Sequence, residues 1–293
     1  MLAVLISLKY GSFVVFCVLA LYGIACGIFV VIQHRLIFMG RKAGRPGPVP
    51  HNVILLRRPE VKGASPYAWY IPPPADSPNR DILVTFFHGN QSLIDNQAHH
   101  LEVYIKMGVA ILLPEYRGFG DVGGFAHESV LCSDAEWFIH ETIKRFGHKQ
   151  EKLYYHGRSL GGAIASSMIQ RFVPAGVILD NTFSSMENIV RRYYLPLSLL
   201  RHPFRTIERV RLNRHIPTLV LHALDDEVIP VGEGRLLGSA GSHVIYAEFK
   251  GGHFGMPASD HFEQYWSRIK SFVGMVEKSP RVEPRELLPV NPA

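Results

Sequence analysis

Cysteine is scarce in this 293-residue chain, and its placement excludes more than its number does. Cys17 and Cys26 fall in an N-terminal apolar run, which leaves Cys132 without a partner in the body. A disulfide-stapled fold is thereby excluded, and the usage fits a reducing compartment. Metal-ligand patterns are missing too. There is no H-E-x-x-H, no Cys pair and no acidic loop with Ca²⁺ spacing, and the adjacent His99 and His100 diverge on a helix, so no metal is expected. Neither an internal repeat nor a heptad seam occurs. The body also lacks an excess of either charge. Of the formal +6, residues 1–45 supply Lys9, Arg35, Arg41, Lys42 and Arg45 against no acid, and the remainder holds 26 basic and 25 acidic residues. A near-neutral body is a poor nucleic-acid binder, whereas cations beside an apolar run suit anionic lipid headgroups.

That run is the first positive feature. Residues 11–32 contain no charge, and as a helix these 22 residues rise about 33 Å, enough for a hydrocarbon core roughly 30 Å thick. Residues 1–39 therefore read as a single-pass anchor. A cleaved signal is the competing reading, but its apolar region is usually about 7 to 15 residues, and here the run continues through Phe29 to Ile32. Arg35, Arg41, Lys42 and Arg45 follow the span, which places the body on the cytoplasmic side. Residues 40–50 (GRKAGRPGPVP) read as a linker, 51–278 as the folded body, and the Pro-rich 279–293 as a disordered tail.

Within the body, short apolar runs at 82–87, 109–114, 152–156, 176–180, 218–223 and 244–249 alternate with helix-like stretches near 96–107, 128–146, 160–171, 232–240 and 258–276. Strands apolar on both faces, spaced by amphipathic helices, predict an α/β fold with a mostly parallel sheet covered on both sides. VILLR and YAWYI, ahead of Pro72, add one or two antiparallel strands.

The chemistry-bearing motif is Gly157-Arg158-Ser159-Leu160-Gly161, a G-x-S-x-G placed where an apolar strand gives way to an alanine-rich helix. A serine raised on so tight a turn needs neighbours without a Cβ, and the turn aims backbone N–H groups at a helix N-terminus. Ser159 is thus the candidate nucleophile. Oxyanion stabilisation calls for two donors: the N–H of Leu160, next to the nucleophile, and that of Asn90, after the strand and sharp turn Phe86-Phe87-His88-Gly89. In this chain order an acid follows a late strand and the base comes last. Leu224-Asp225-Asp226-Glu227-Val228-Ile229-Pro230 offers Asp226, with Asp225 and then Asp180 as fallbacks, and Lys250-Gly251-Gly252-His253 offers His253.

With FFHGN, PEYRGFG, GRSLGGA, DNTFSS, LDDEVIP and GGHF all present, the chain over roughly 50–275 resembles the α/β-hydrolase superfamily, and within it the bud-emergence-type branch of small membrane-anchored serine hydrolases. The resemblance implies an eight-stranded, mainly parallel sheet flanked by helices. It also implies a Ser159–Asp226–His253 triad, an oxyanion hole at Asn90 and Leu160, and no cofactor. Two departures stand out: Gln91-Ser92 where relatives continue Ala-Gly, and Ala223-Leu224 in place of Gly-x before the acid. Arg117 in the RGFG loop and Arg158 in the elbow read as braces between loops.

Residues 186–215 interrupt the alternation and read as a short helical lid. Arg191, Arg192, Arg201, Arg205, Arg209, Arg211 and Arg214 face only Glu187 and Glu208, among Tyr193, Tyr194 and several leucines. Such a segment suits either a cap near anionic lipid or a solvated excursion covering the domain. The expected activity is hydrolysis of a carboxylic ester or thioester, of lipid or S-acyl protein, through an acyl-enzyme. The competing readings are an amidase or aminopeptidase on the same machinery, for which Glu227 alone is a thin amine site, and a binding scaffold, which has no chemical need for three matched residues.

Overall fold

The computed structural model describes residues 2–40, 47, 50–61, 63–254 and 259–279. Most of the linker expected at 40–50 and of the tail expected at 279–293 lies outside these residues. Eight strands form one sheet: β1 (Ile54–Arg57), β2 (Tyr67–Ile71), β3 (Leu83–Phe87), β4 (Ala110–Pro114), β5 (Leu153–Arg158), β6 (Gly176–Asp180), β7 (Thr218–Ala223) and β8 (Val244–Phe249). Their order is β1-β2-β4-β3-β5-β6-β7-β8. β2 runs antiparallel to both its neighbours and the remaining pairs are parallel.

Every residue of β2, β3, β4, β6 and β7 is buried, as a sheet covered on both faces requires. Alternate side chains divide between two cores. Phe87, Leu112, Tyr155 and Val220 face α3 (Glu128–Phe146), α4 (Leu160–Met168) and α6 (Thr206–Leu212). Phe86, Ile111, Tyr154 and Leu221 face α2 (Ala98–Met107) and the C-terminal helix α7 (Ser259–Lys278), where Tyr104, Trp266 and Ile269 are fully enclosed. Gly108 ends α2 and Gly147 ends α3, each in the left-handed conformation that a side chain would strain.

The N-terminal helix α1 (Leu2–Ile37) is one continuous element, and its two ends differ. Large apolar residues from Phe13 to Ile28 are exposed, whereas Phe29, Gln33 and Ile37, spaced by four, are buried on the body. The expected separation of anchor from body by a linker is therefore incomplete, because the last turns of α1 belong to the domain. Gln33 provides the polar lock: its Nε2 donates to the Leu199 carbonyl at 2.9 Å and its Oε1 accepts from Arg201 N–H at 2.9 Å.

The expected lid resolves into α5 (Met186–Arg191), a 3₁₀ turn at Leu197–Leu199, and α6. Its arginines are less free than their number suggests. Arg192 pairs with Glu233 at 2.8 Å, Arg205 with Glu187 at 2.9 Å and Arg209 with Glu128 at 2.6 Å. These pairs tie the lid to itself and to the helices beside it.

Two buried histidines make the fold acid-sensitive. Burial, with Arg158 nearby, pushes His156 down to about 3. Burial, then His127, His34 and Arg201, pushes His202 down to about 4. An unfolded histidine titrates near 6.5, so below that pH the unfolded chain binds protons that the folded chain refuses. The stability they contribute is complete above about pH 6.5 and is lost as pH falls toward about 4 for His202 and about 3 for His156. The thermal midpoint is therefore expected to fall between pH 7 and about pH 5. His202→Phe, placing an apolar ring beside Phe38 and Phe204, should flatten that slope, and an unchanged slope would remove His202 from the account.

Candidate active site

The site begins at the C-terminal end of β5. Ser159 has φ 53° and ψ −121°, a conformation that side chains disfavour, and it is only 9% exposed. The elbow is pinned on both sides: Ser159 N–H donates to the Asp180 carbonyl at 2.9 Å, and Thr182 Oγ1 donates to the Ser159 carbonyl at 2.6 Å. The flanking glycines are steric requirements. A Cβ on Gly157 would lie 2.2 Å from the Gly161 carbonyl oxygen, and one on Gly161 would lie 1.9 Å from that of Phe87. Gly161→Ala is accordingly expected to cost about 1–3 kcal/mol, the usual range for overpacking, read as a lowered denaturant midpoint.

The structure brings Ser159, His253 and Asp226 together from three loops on one edge of the sheet. His253 Nε2 lies 3.0 Å from Ser159 Oγ, and His253 Nδ1 lies 2.7 Å from Asp226 Oδ2. With the ring proton on Nδ1 donating to the carboxylate, Nε2 is left to accept from the hydroxyl. Asp226 Oδ1 also accepts the N–H groups of Val228 at 2.9 Å and Ile229 at 2.6 Å. Burial would raise this carboxyl, but the bonds from His253, Ile229 and Val228 outweigh it, and the group is held below the usual carboxylate value.

The other acids go elsewhere. Asp225 is exposed. Asp180 is buried, which raises its carboxyl, and it accepts the Tyr265 hydroxyl at 2.9 Å rather than meeting His253. Glu227 accepts the backbone N–H of His253 at 3.0 Å, a role unreadable from sequence. Arg158 donates to the His253 carbonyl, so it braces the loop that carries His253. Arg117 is similarly buried in a paired contact with Asp134, with Nε at 2.9 Å from Oδ2.

The two nominated oxyanion donors, Asn90 and Leu160, line the same cavity as Ser159. Leu160 opens α4, so its N–H belongs to the first turn, which has no intrahelical acceptor. Asn90 follows Gly89, where an added Cβ would touch Ser159 Cβ at 3.6 Å. A buried network that sequence reading missed holds this loop. His88 bonds Glu115 at 3.0 Å, Glu115 accepts Ile94 N–H at 3.0 Å, and the Tyr116 hydroxyl donates to the His88 carbonyl at 3.0 Å. The Asn90 side chain points to α1, accepting Met39 N–H at 2.7 Å and donating to the Leu36 carbonyl at 3.3 Å.

Ser159 and His253 open onto a cavity of about 870 Å³, within the roughly 300–1,000 Å³ typical of small-molecule sites. Its walls come from α1, the lid and the elbow, and its lining is mostly apolar. Among the described residues that line it there is no Asp or Glu, and the ionisable side chains other than Tyr193 are Arg158 and His253. No group of metal-binding side chains occurs among the described residues.

No family model matches the chain. An uncharacterized protein of Mycobacterium tuberculosis is 28% identical over 246 residues, 78% of this chain and 84% of that one. An uncharacterized membrane protein of Saccharomyces cerevisiae is 34% identical over 135 residues, 43% and 47% of the two chains. The lysophosphatidylserine lipase ABHD12 of Danio rerio is 30% identical over 181 residues, 53% of this chain and 46% of the lipase. The match thus spans under half the length of the yeast and fish proteins. Among solved structures, an α/β-hydrolase from Vibrio vulnificus superposes with a TM-score of 0.65 at 20% identity, covering 82% of this chain and 92% of that one. By its sheet order, the turn that carries Ser159 and this structural likeness, the chain is an α/β-hydrolase-fold protein.

Proposed function

We propose that this protein is a membrane-anchored serine hydrolase that cleaves carboxylic esters or thioesters of long acyl chains, carried by lipid or by S-acylated protein. The observation that supports the reading best is the unbroken hydrogen-bonded line from Asp226 through His253 to Ser159, ending in an apolar cavity. In the proposed reaction His253 Nε2 takes the Ser159 proton as Oγ attacks the carbonyl carbon, and the N–H groups of Asn90 and Leu160 receive the developing oxyanion. The imidazolium, held by Asp226, returns its proton to the leaving oxygen or sulfur. The same imidazole then activates the water that cleaves the acyl-enzyme. A lining without Asp or Glu among the described residues supports an ester substrate over one held by an amine.

The helix supports the anchored state. Gly11–Ile37 contains an 18-residue stretch of mean hydropathy 2.8 and is long enough to cross a bilayer, and its last turns close the cavity, which cleavage after the apolar run would open. We place the body on the cytoplasmic face, on the strength of the cations that follow the span. In sealed vesicles with that face outward, added protease should digest the body, and a protected body would reverse the orientation.

The activity is tested by reacting the full-length protein in detergent with a fluorophosphonate and mapping the adduct by mass spectrometry. The expected result is one adduct on the peptide containing Ser159, accompanied by turnover of p-nitrophenyl esters. No adduct and no turnover in folded protein would refute the hydrolase reading. An adduct on another serine would move the nucleophile.

A further inference from the structure

We propose that the membrane-spanning helix α1 is itself a wall of the acyl-binding groove, so that the substrate's acyl chain reaches Ser159 sideways from the bilayer, along that helix. The inference rests on the hydrolase reading above and specifies where the acyl chain lies.

The helix carries two adjacent stripes that both line the cavity, one of them also buried on the body. Phe29, Gln33 and Ile37 are buried on the body and fix the helix in place. Ala25, Ile28, Ile32 and Leu36, at spacings of three, four and four, line the same cavity as Ser159 and His253. This second stripe rises about 16 Å along the axis, the scale of a long acyl chain rather than a short one. It is uniformly apolar, as a hydrocarbon tail requires. Ile28 remains 52% exposed and Leu36 56% exposed although both line the cavity, so the groove is open along its length.

Depth is set by the sequence. Ala25, Ile28 and Ile32 belong to the uncharged stretch 11–32, so a helix inserted to the end of that stretch carries one end of the groove into the hydrocarbon. The opposite wall climbs with it. Ile189, Tyr193 and Leu195 of the lid line the cavity, and Tyr22 Oη donates to the Tyr194 carbonyl at 2.9 Å, two turns up the helix from the docked Phe29. Tyr193 and Tyr194 are 70% and 86% exposed beside this helix. Tyr194 has φ 55°, so this tip is held in a backbone state that a tyrosine does not favour, with its carbonyl fastened to α1. A chain entering between α1 and the lid meets no charged side chain until Arg158, beside His253.

If α1 is a wall, a bulky residue on its groove stripe should act as a depth stop. Full-length protein in phosphatidylcholine vesicles would be given p-nitrophenyl butyrate, octanoate and palmitate. Ile32→Trp is expected to lower the palmitate-to-butyrate turnover ratio at least about tenfold, the effect of excluding a few methylenes. Ile28→Trp, one turn nearer the membrane interior, should lower the palmitate ratio while leaving the octanoate ratio higher than in Ile32→Trp. Val31→Trp, on a side that does not line the cavity and is 76% exposed, should keep the wild-type ratios. Fluorophosphonate labelling of each variant reports that the Ser159 site is assembled.

Wild-type ratios in labelled Ile32→Trp and Ile28→Trp, or an equal fall in Val31→Trp, would overturn the groove while leaving the hydrolase reading intact. Wild-type protein that neither labels nor turns over any ester would refute the hydrolase reading and the groove with it.

Discussion

Ser159→Ala is expected to abolish fluorophosphonate labelling and to lower ester turnover by about 10⁶-fold, with the thermal midpoint retained. The magnitude follows from the way a nucleophile and its base act as a unit, so that loss of the serine removes the covalent route as a whole. Residual turnover of about 10³- to 10⁴-fold over water is expected from oxyanion binding and positioning. Stability should survive because Oγ of Ser159 bonds only His253 among the described side chains, while the elbow is held by backbone groups and by Thr182. Relief of neither strain nor packing is involved, since alanine keeps the Cβ and the φ of 53°. Full labelling in this variant would disprove the nucleophile assignment, and loss of the folded state would show that the hydroxyl is structural.

Asp226→Asn is the second large effect, with turnover expected to fall by about 10⁴-fold. The amide preserves shape but offers His253 Nδ1 either a donor or a weaker acceptor, which favours the wrong tautomer and leaves Nε2 protonated against the serine. It also removes the charge that stabilises the imidazolium. Asp225→Asn should be near wild type, because that side chain is exposed. Asp180→Asn should act on stability more than on turnover, because Asp180 meets Tyr265 and the edge of Arg158 rather than the base. If Asp180→Asn were the damaging variant, the acid would belong to β6 and the short Asp226–His253 contact would be incidental.

Much of this site is local and therefore legible in sequence. G-x-S-x-G after a buried strand carries its own geometric demand, and the glycines at 157 and 161 answer it with contacts that leave no room for a side chain. The difference between Asp226 and Asp225 is local as well. In the strand-to-helix loop adjacent residues point apart, so only one of them turns toward His253. The strand runs were readable because a sheet covered on both faces needs apolar residues at successive positions.

Other features are pairings between distant positions, for which single residues carry no signal. Glu115 in the PEYRGFG loop has nothing in its neighbourhood to show that it buries against His88 and holds the Asn90 loop. Glu227 looks like a surface acid beside the chosen one, yet it holds the backbone of His253. The arginines of 186–215 suggest a lipid-facing surface by composition, and three of them are instead paired with Glu233, Glu187 and Glu128.

Periodicity, turn chemistry and chain order point to a long apolar N-terminal helix, an α/β body and three residues that the structure brings together, because each signal depends on neighbours within a few positions. Composition could not tell which face of α1 meets the body, since a uniformly apolar helix has no amphipathic stripe to betray its contact side. Packing against the lid and the 125–127 loop settles that face, through Phe29, Gln33 and Ile37, with Gln33 bonded to Leu199 and Arg201 and His34 to the Ala126 carbonyl. What a linear reading separates as anchor and enzyme is joined in three dimensions, because the cavity beside Ser159 lacks one wall until the helix is folded against it.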